Sequence, residues 1–455
     1  MNLERLVAAL GPAEVVNAAS VEIRDLAYDT RAVTRGSLFF CVRGAHADGH
    51  AFARTVAAAG AAALVVDHPL DVDLPQIVVT DVRAAMPAAA TVFFDSPTEK
   101  LAVVGVTGTN GKTTTAFLLH AIFTAAGRKA GLLTNITRLV GGASRATGLN
   151  TPEAIDLQRL FREMSDAGDE ICVMEATSVA QTHGRLTGTR FAVVVFTNLT
   201  QDHLDFHGTM EQYFAAKRAI VAQAEVAVIN VGDPFGRRLA EEFPAAVTFD
   251  DASTALDGID LKLRGRFNAA NATGAALAAR ALGIEDAAIR AGIESVSGVP
   301  GRFETIDEGQ RFAVVVDYAH TPDSLENVLR TACELGEGRL IVVFGAGGDR
   351  DRSKRPVMGR VVSELADRAI LTSDNPRSEE PAAIAADVAD GSLGSFEIEL
   401  DRRVAIETAL REAAPGDVVV IAGRGAEPEQ ELASGKIPFD DRAVAREILR
   451  RRGVS

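Results

Sequence analysis

Leu101-Ala102-Val103-Val104-Gly105-Val106-Thr107-Gly108-Thr109-Asn110-Gly111-Lys112-Thr113-Thr114-Thr115 is the stretch on which the fold turns. Leu101 to Val106 reads as a buried strand, Gly108 and Gly111 as a turn, and the run from Ala116-Phe117-Leu118-Leu119 as a helix. A strand that feeds a glycine turn opening a helix aims backbone N–H groups and the positive end of the helix dipole at one point, which suits phosphate. Lys112 adds a mobile positive charge, and Thr113 and Thr114 offer hydroxyls to Mg²⁺. The residue five before Gly111 is Val106 and not Gly, so the strict phosphate-loop spacing fails, and a glycine turn with a chance lysine is the alternative. Strand, glycines, lysine, hydroxyls and helix all coincide, which makes nucleoside triphosphate binding the working premise, with Gly108, Thr109, Asn110, Gly111, Lys112, Thr113 and Thr114 as its residues.

Outward from this loop, short β-branched runs alternate with Ala/Leu-rich helical stretches, the pattern of α/β layers with mainly parallel sheets. Turn-rich stretches at Phe93 to Thr98 and at Gly298-Val299-Pro300-Gly301 divide the chain into blocks 1–98, 99–300 and 301–455. The third block carries predicted strands at Ala313–Val316, Leu340–Phe344, Ala369–Thr372 and Asp417–Ile421. A length of 455 residues agrees with about three domains at roughly 150 residues each.

Composition excludes several classes. Against 62 acidic residues stand 47 Lys and Arg, and the resulting −15 repels polyphosphate backbones, with no basic run to offset it. The longest apolar or small stretch, Val56 to Val66, is far short of the roughly 20 residues that cross a bilayer. No signal-peptide pattern opens the sequence, so no membrane, no nucleic acid and a cytoplasmic location are expected. Cys41, Cys172 and Cys333 are isolated and read as buried small apolar residues.

Two further predicted strands end in polar residues. Glu170 to Met174 runs into Glu175, and Phe191 to Phe196 runs into Thr197-Asn198-Leu199-Thr200-Gln201-Asp202-His203-Leu204-Asp205. In an open α/β sheet ligands sit off the carboxyl ends of the strands, so Glu175 and His203 are candidate metal ligands beside phosphate. A solvated strand end for Glu175 and a helix N-terminal hydrogen-bonder for His203 are equally good readings. Lys217, in Tyr213-Phe214-Ala215-Ala216-Lys217-Arg218, reads on its own as a surface helix lysine.

Taken together, Thr107 to Thr114, Phe196 to Asp205 with Lys217 fourteen beyond His203, Gly265-Arg266-Phe267-Asn268-Ala269-Ala270-Asn271 and Asp317-Tyr318-Ala319-His320-Thr321-Pro322-Asp323 resemble the Mur ligases. Asp374-Asn375-Pro376-Arg377, Tyr28-Asp29-Thr30-Arg31 and the segment Gly44 to His50 resemble the MurE type, which adds the third amino acid to UDP-N-acetylmuramoyl-L-alanyl-D-glutamate. The resemblance implies an N-terminal domain for the UDP-sugar, a central phosphate-loop ATPase and a C-terminal Rossmann-like domain for the amino acid. It also implies a monomer that uses ATP and Mg²⁺ and forms an acyl phosphate.

The resemblance assigns roles residue by residue. Lys112 would hold the β- and γ-phosphates, and Thr113, Thr114, Glu175, His203 and a carbamylated Lys217 would hold Mg²⁺. Asn268 and Asn271 match an adenine-side motif, although a helix cap is the plain reading of Asn268. Arg302, Asp317 and His320 match positions that bring the third domain to the nucleotide, and Lys354 would reach the γ-phosphate or acyl phosphate. Thr30, Asn150, Thr151, Thr177, His183 and Arg185 match the UDP-muramoyl dipeptide site. Arg350, Asn375, Arg377, Gly423 and Glu427 match the site for meso-diaminopimelate, where Arg377 would pair with the distal carboxylate and Glu427 with the distal ammonium. An Asn-Pro turn followed by a surface arginine is the bland reading of Asp374 to Arg377.

Three motifs depart from the family pattern: Asn150-Thr151-Pro152-Glu153, Glu175-Ala176-Thr177-Ser178-Val179 and Gly423-Arg424-Gly425-Ala426-Glu427. The last two each lose a histidine, and they fall at the acceptor and amino-acid sites while the nucleotide motifs are intact. A MurE-like ligase of a specialised pathway is therefore the runner-up, and a nucleotide-binding protein that has lost ligation is the rival from another class.

Overall fold

In the computed structural model the described residues are 1–11, 13–44 and 47–453. Ala45 and His46 of the Gly44–His50 motif lie outside them. In that motif His50 is buried, its Nδ1 is 2.6 Å from Asp48 and its Nε2 accepts from the Asp67 N–H at 3.2 Å.

Three main sheets are built on the α/β alternation. The first has five strands in the spatial order Glu14–Val16, Gln76–Val78, Ala63–Val66, Ser37–Phe40 and Asp25–Ala27, and all but the Glu14–Val16 edge pair in parallel. The second has eight: Val247–Phe249, Ala224–Asn230, Phe191–Phe196, Ala102–Thr107, Ile171–Glu175, Ala130–Leu133, Arg138–Val140 and Ala143–Arg145. The third has six: Glu304–Thr305, Ala313–Asp317, Val418–Ala422, Leu340–Phe344, Arg368–Leu371 and Glu397–Ile398. Its two central strands, Val418–Ala422 and Leu340–Phe344, are buried along their whole length, so they read as unbroken apolar runs without alternation, as a sheet covered on both faces requires. A two-stranded hairpin, Glu429–Leu432 with Gly435–Pro438, stands apart from these sheets.

The chain forms two compact units. One comprises 1–107, 127–194 and 216–226; the other comprises 108–126, 195–215 and 227–455. The expected strands recur within a residue or two, but the phosphate-loop helix begins earlier than its apolar run implies, at Lys112, and runs to Ala125. A glycine start and three threonines leave no periodic apolar signal in the first turn, although Thr113, Thr114 and Thr115 are buried. Cys41 and Cys172 are buried as expected, whereas Cys333 is exposed, because it opens a short 3₁₀ turn after the helix Pro322–Ala332. Among the described residues no helix is long and apolar enough to cross a membrane.

Candidate functional site

The phosphate loop is shaped by contacts that leave no room for side chains. A methyl group on Gly108 would lie 1.8 Å from Thr197 Oγ1, and one on Gly111 would lie 2.2 Å from Asn271 Oδ1. Both residues also have positive φ, +149° and +85°, where glycine alone is unstrained. The segment after Phe191–Phe196 supports the loop from beneath: Thr109 N–H donates to Asn198 O at 2.9 Å, Asn110 N–H to Asn198 Oδ1 at 2.9 Å, and Thr197 Oγ1 to Asn110 O at 2.6 Å. Thr109 Oγ1 accepts from Thr200 N–H at 3.0 Å and lies 3.1 Å from the Tyr213 hydroxyl. Lys112 Nζ reaches back over the loop to the carbonyls of Gly108 and Thr109, at 3.0 and 2.8 Å.

Residues far along the chain complete this surface. Arg302 stacks on Tyr318, 4.3 Å from guanidinium carbon to ring centre, and donates to Thr113 Oγ1 at 2.8 Å. Thr321-Pro322-Asp323-Ser324 makes a capping box with proline in the first turn, so the helix Pro322–Ala332 starts at a fixed place. That start sets Asp323, which accepts from Asn110 Nδ2 at 2.8 Å. Asn271 stands beside Gly111, and its Nδ2 donates to Asn268 Oδ1 at 3.3 Å, while Asn268 Nδ2 donates to Arg264 O at 2.8 Å. Asp317 uses both oxygens on backbone N–H groups, of Phe303 and Ala319, each at 2.6 Å, and burial pushes its carboxyl up. Its role in this structure is to fix the turn carrying Arg302.

One residue of this region was missed by sequence reasoning. Asp202 is buried and gathers one lysine and two imidazoles: Lys354 Nζ at 3.0 Å, His203 Nε2 at 3.4 Å and His320 Nε2 at 3.7 Å. Burial opposes its ionisation, but the His320 hydrogen bond and the Lys354 charge outweigh that and hold the carboxyl well below the usual range. The sequence signal for Asp202 is its place beside His203 in the same polar run, Thr197 to Asp205. Lys354 is buried too, so removing either partner leaves an uncompensated charge, a change worth about 3–5 kcal/mol.

The other unit carries a second cluster. Glu175 lies beside Val106 at the carboxyl ends of two parallel strands and is 1% exposed, which removes the solvated-strand-end reading. Thr151 Oγ1 donates to Glu175 O at 2.8 Å and lies 3.0 Å from Thr177 Oγ1, and Thr177 caps the helix Ser178–Thr182. Arg185 pairs with Glu153 at 2.9 Å and donates to Thr151 O at 3.4 Å, and Arg83 pairs with the same Glu153 oxygen at 3.1 Å. The His183 pKa is lowered by burial and by Arg185 and Arg83. Asn150 is exposed, and Thr30 opens a 3₁₀ turn; among the described residues the contacts of the cluster reach neither. Lys217 is 1% exposed, which overturns its reading as a surface lysine: Tyr213, Phe214 and Ile220 bury the same face of Met210–Val221.

A third constellation surrounds Asp374 to Arg377. Asn375 Nδ2 donates to Glu427 Oε2 at 2.8 Å, and Arg377 Nε donates to Glu431 Oε2 at 2.9 Å. Asp374 is buried, and a methyl on Gly423 would lie 2.3 Å from its Oδ2. Burial, and then the Asp374 charge, raise the Glu427 pKa. Arg424 is fully buried and donates to Glu429 O at 2.6 Å and Phe439 O at 3.1 Å. Arg402, also fully buried, pairs twice with Asp441, at 2.8 and 2.7 Å, and donates to Ala422 O at 3.0 Å. Asp374 to Arg377 is thus a tied loop and not an ordinary Asn-Pro turn with a surface arginine. Arg350 is exposed and bonds only to Asp349 O among the described residues.

Comparison with known proteins gives this arrangement a lineage. Three family models match: "Mur ligase family, catalytic domain" over residues 22–93, "Mur ligase middle domain" over 106–258 and "Mur ligase, glutamate ligase domain" over 301–425. Proteins named UDP-N-acetylmuramoyl-L-alanyl-D-glutamate–2,6-diaminopimelate ligase are 42% identical in Geobacillus kaustophilus, over 100% of both chains, and 40% identical in Bacillus cereus, over 99% of this chain and 98% of that one. A solved structure of an enzyme of that name is 30% identical, with a TM-score of 0.64 over 98% of each chain. MurF from Acinetobacter baumannii shares the fold alone, at 19% identity and a TM-score of 0.69 over 92% of this chain and 94% of its own. By full-length identity as well as by its phosphate loop, the chain belongs to the Mur ligase family.

Proposed function

We propose that this protein is an ATP-dependent amide ligase that adds meso-diaminopimelate to UDP-N-acetylmuramoyl-L-alanyl-D-glutamate in peptidoglycan precursor synthesis, working as a monomer in the cytoplasm. The observation that carries the reading is the set Asn375, Arg377 and Glu427: a half-buried carboxylate that accepts from Asn375 Nδ2, and a guanidinium two residues further along the same loop, a match for a side chain ending in a carboxylate and an ammonium. The names of full-length relatives support the same substrates. Blocks 1–98, 99–300 and 301–455 would serve the UDP-sugar, the nucleotide and the amino acid.

In the proposed reaction an acceptor carboxylate attacks the γ-phosphorus of ATP, ADP leaves, and an acyl phosphate forms. The amino group of the incoming amino acid then attacks the acyl carbon, loses a proton and expels phosphate from the tetrahedral intermediate. Most of the demand is positioning and charge neutralisation. Lys112 supplies positive charge at the β- and γ-phosphates, and Lys354, held by Asp202, is poised to follow charge onto the transferred phosphoryl group. Thr151, Thr177, His183 and Arg185 would hold the acceptor, with Thr30 and Asn150 as outlying contacts; Asn268, Asn271 and Arg302 would hold the nucleotide, with Asp317 acting through Arg302.

Thr113, Thr114 and His203 in one unit, and Glu175 and Lys217, the latter as its carbamate, in the other, offer hard oxygens and an imidazole that would suit Mg²⁺. Mg²⁺, when bound, supplies charge neutralisation on the phosphate oxygens. The near-complete burial of Lys217 favours the conversion, because an ammonium there loses hydration.

A mass assay offering UDP-muramoyl-dipeptide and ATP with meso-diaminopimelate, L-lysine and other amino acids tests the reading. Tripeptide with diaminopimelate is the expected product. Product with another amino acid alone would move the enzyme to a specialised pathway, the alternative favoured by Ala426 and Val179 where the family pattern has histidines. ADP release with no acceptor dependence would move it to the non-ligating class.

A further inference from the structure

The three nitrogens of the Arg377 guanidinium are in different situations. NH1 donates to Gly348 O at 2.7 Å and lies 3.5 Å from Asn375 O. Nε donates to Glu431 Oε2 at 2.9 Å, and NH2 has no hydrogen-bond partner among the described residues. A guanidinium binds a carboxylate best through two parallel N–H bonds, and the Nε–NH2 edge is such a pair. Glu431 covers that edge with a single oxygen.

The backbone of Glu431 is fixed independently of its side chain. Its N–H donates to Asn375 Oδ1 at 2.9 Å, its carbonyl accepts from Arg377 N–H at 3.1 Å, and the neighbouring Gln430 Nε2 donates to Asp374 O at 2.6 Å. The strand Glu429–Leu432 thus stays docked on the 374–377 loop whether or not the Glu431 carboxylate remains on Arg377. That side chain is 42% exposed, so water can receive the carboxylate when it leaves, and Arg377 itself is 20% exposed.

We propose that Glu431 is a specificity-determining residue: its carboxylate occupies the side-on edge of Arg377 until the second carboxylate of an incoming amino acid replaces it. The inference rests on the amino-acid pocket assigned above. Replacing one carboxylate by another leaves the charge around Arg377 unchanged, so a second carboxylate on the substrate gains less than it would from a bare guanidinium. An amino acid that lacks the group leaves the Glu431 pair standing and incurs no penalty for an unpaired arginine. Glu431 therefore narrows the discrimination between the two classes below what Arg377 alone would give.

Calorimetric titration of the full chain, saturated with ADP and Mg²⁺, tests this with meso-diaminopimelate and L-lysine as probes. Glu431→Gln should bind diaminopimelate about two- to fivefold tighter than the unaltered protein, the range of a partly exposed ion pair, and L-lysine no tighter. Glu431→Asp, which keeps the charge on a shorter stem, should fall between. Weaker diaminopimelate binding in Glu431→Gln, equal shifts for both amino acids, or no binding of either to the unaltered chain overturns the proposal. Glu431→Ala checks that the sign follows loss of charge and not the glutamine amide, and a thermal melt of each variant reports folding. Absence of ligation by the unaltered enzyme, alongside a selective binding shift, would sink the functional reading and leave this one standing.

Discussion

The phosphate loop and the 374–377 loop follow strands of parallel sheets, yet they are held by different physics. Around Gly108 and Gly111 the restraint is steric and neutral: two positions where a methyl group cannot fit, and a lattice of backbone and amide hydrogen bonds. Around Arg377 the restraint is ionic, with Arg424, Arg402, Asp374, Glu427, Glu431 and Asp441 sharing one region and three of these fully buried. A steric cradle recognises whatever has the right shape and charge, so it suits a nucleotide common to a whole family. An ionic cluster recognises a pattern of charges, and single substitutions retune it. The altered motif at Arg424 and Ala426 sits in the second kind of region, where change costs less function.

This contrast can be broken by substitution. The largest effect is expected at Gly108→Ala and Lys112→Ala: a fall in kcat on the order of 10³-fold or more, with diaminopimelate binding little altered, checked by initial-rate kinetics and amino-acid calorimetry. Equal damage to amino-acid binding would mean that the two regions are not separable. Next is Asp202→Asn, which strands buried Lys354 and should cost about 3 kcal/mol in denaturant unfolding. Because the Asp202 carboxyl is held low, its stabilisation is complete above the unfolded carboxylate value of about 3.9 and is lost as pH falls further through the folded value. The gap between variant and parent should therefore be constant near neutrality and close only in strong acid.

Lys217→Ala should lose most ligase activity and regain part of it when short carboxylic acids are added, which is the signature of a missing carbamate. Failure of every small acid to restore rate would return Lys217 to a purely structural role. The smallest of these effects is electrostatic. Glu427 is held above the usual glutamate range by burial and by Asp374, and it must be ionised to hold an ammonium. KM for the amino acid should begin to rise on acidification at a pH above that of an ordinary glutamate, about tenfold per unit below the folded pKa, while Glu427→Gln shows a raised and flat KM. A parent profile as flat as the variant's would remove Glu427 from substrate binding.

The same contrast explains what was legible in the sequence. The phosphate loop is contiguous, and its strand, turn and helix are adjacent in the chain, so local patterning reveals it. Only the helix start at Lys112 is obscured, because the threonines of its first turn are polar in type and yet buried. The ionic region pairs residues far apart: Asn375 with Glu427, Arg377 with Glu431 and Arg402 with Asp441, and periodicity does not encode such partners. Glu431 and Arg402 accordingly carried no signal at all. Lys217 misled for a related reason, since one cation between an alanine and an arginine looks solvated until the aromatic side chains beside it are seen to bury that face.

The Arg402–Asp441 pair also sets a rule for engineering. Asp441 opens the helix Asp441–Gly453, and its partner arginine holds Ala422 O, one residue before Gly423. A protease cut or premature stop before Asp441 would remove no residue assigned to a substrate, yet it would leave a buried guanidinium bare at the carboxyl end of the central strand Val418–Ala422, which leads into Gly423. Trimming the helix itself should disable amino-acid selection first and leave nucleotide binding to fail later.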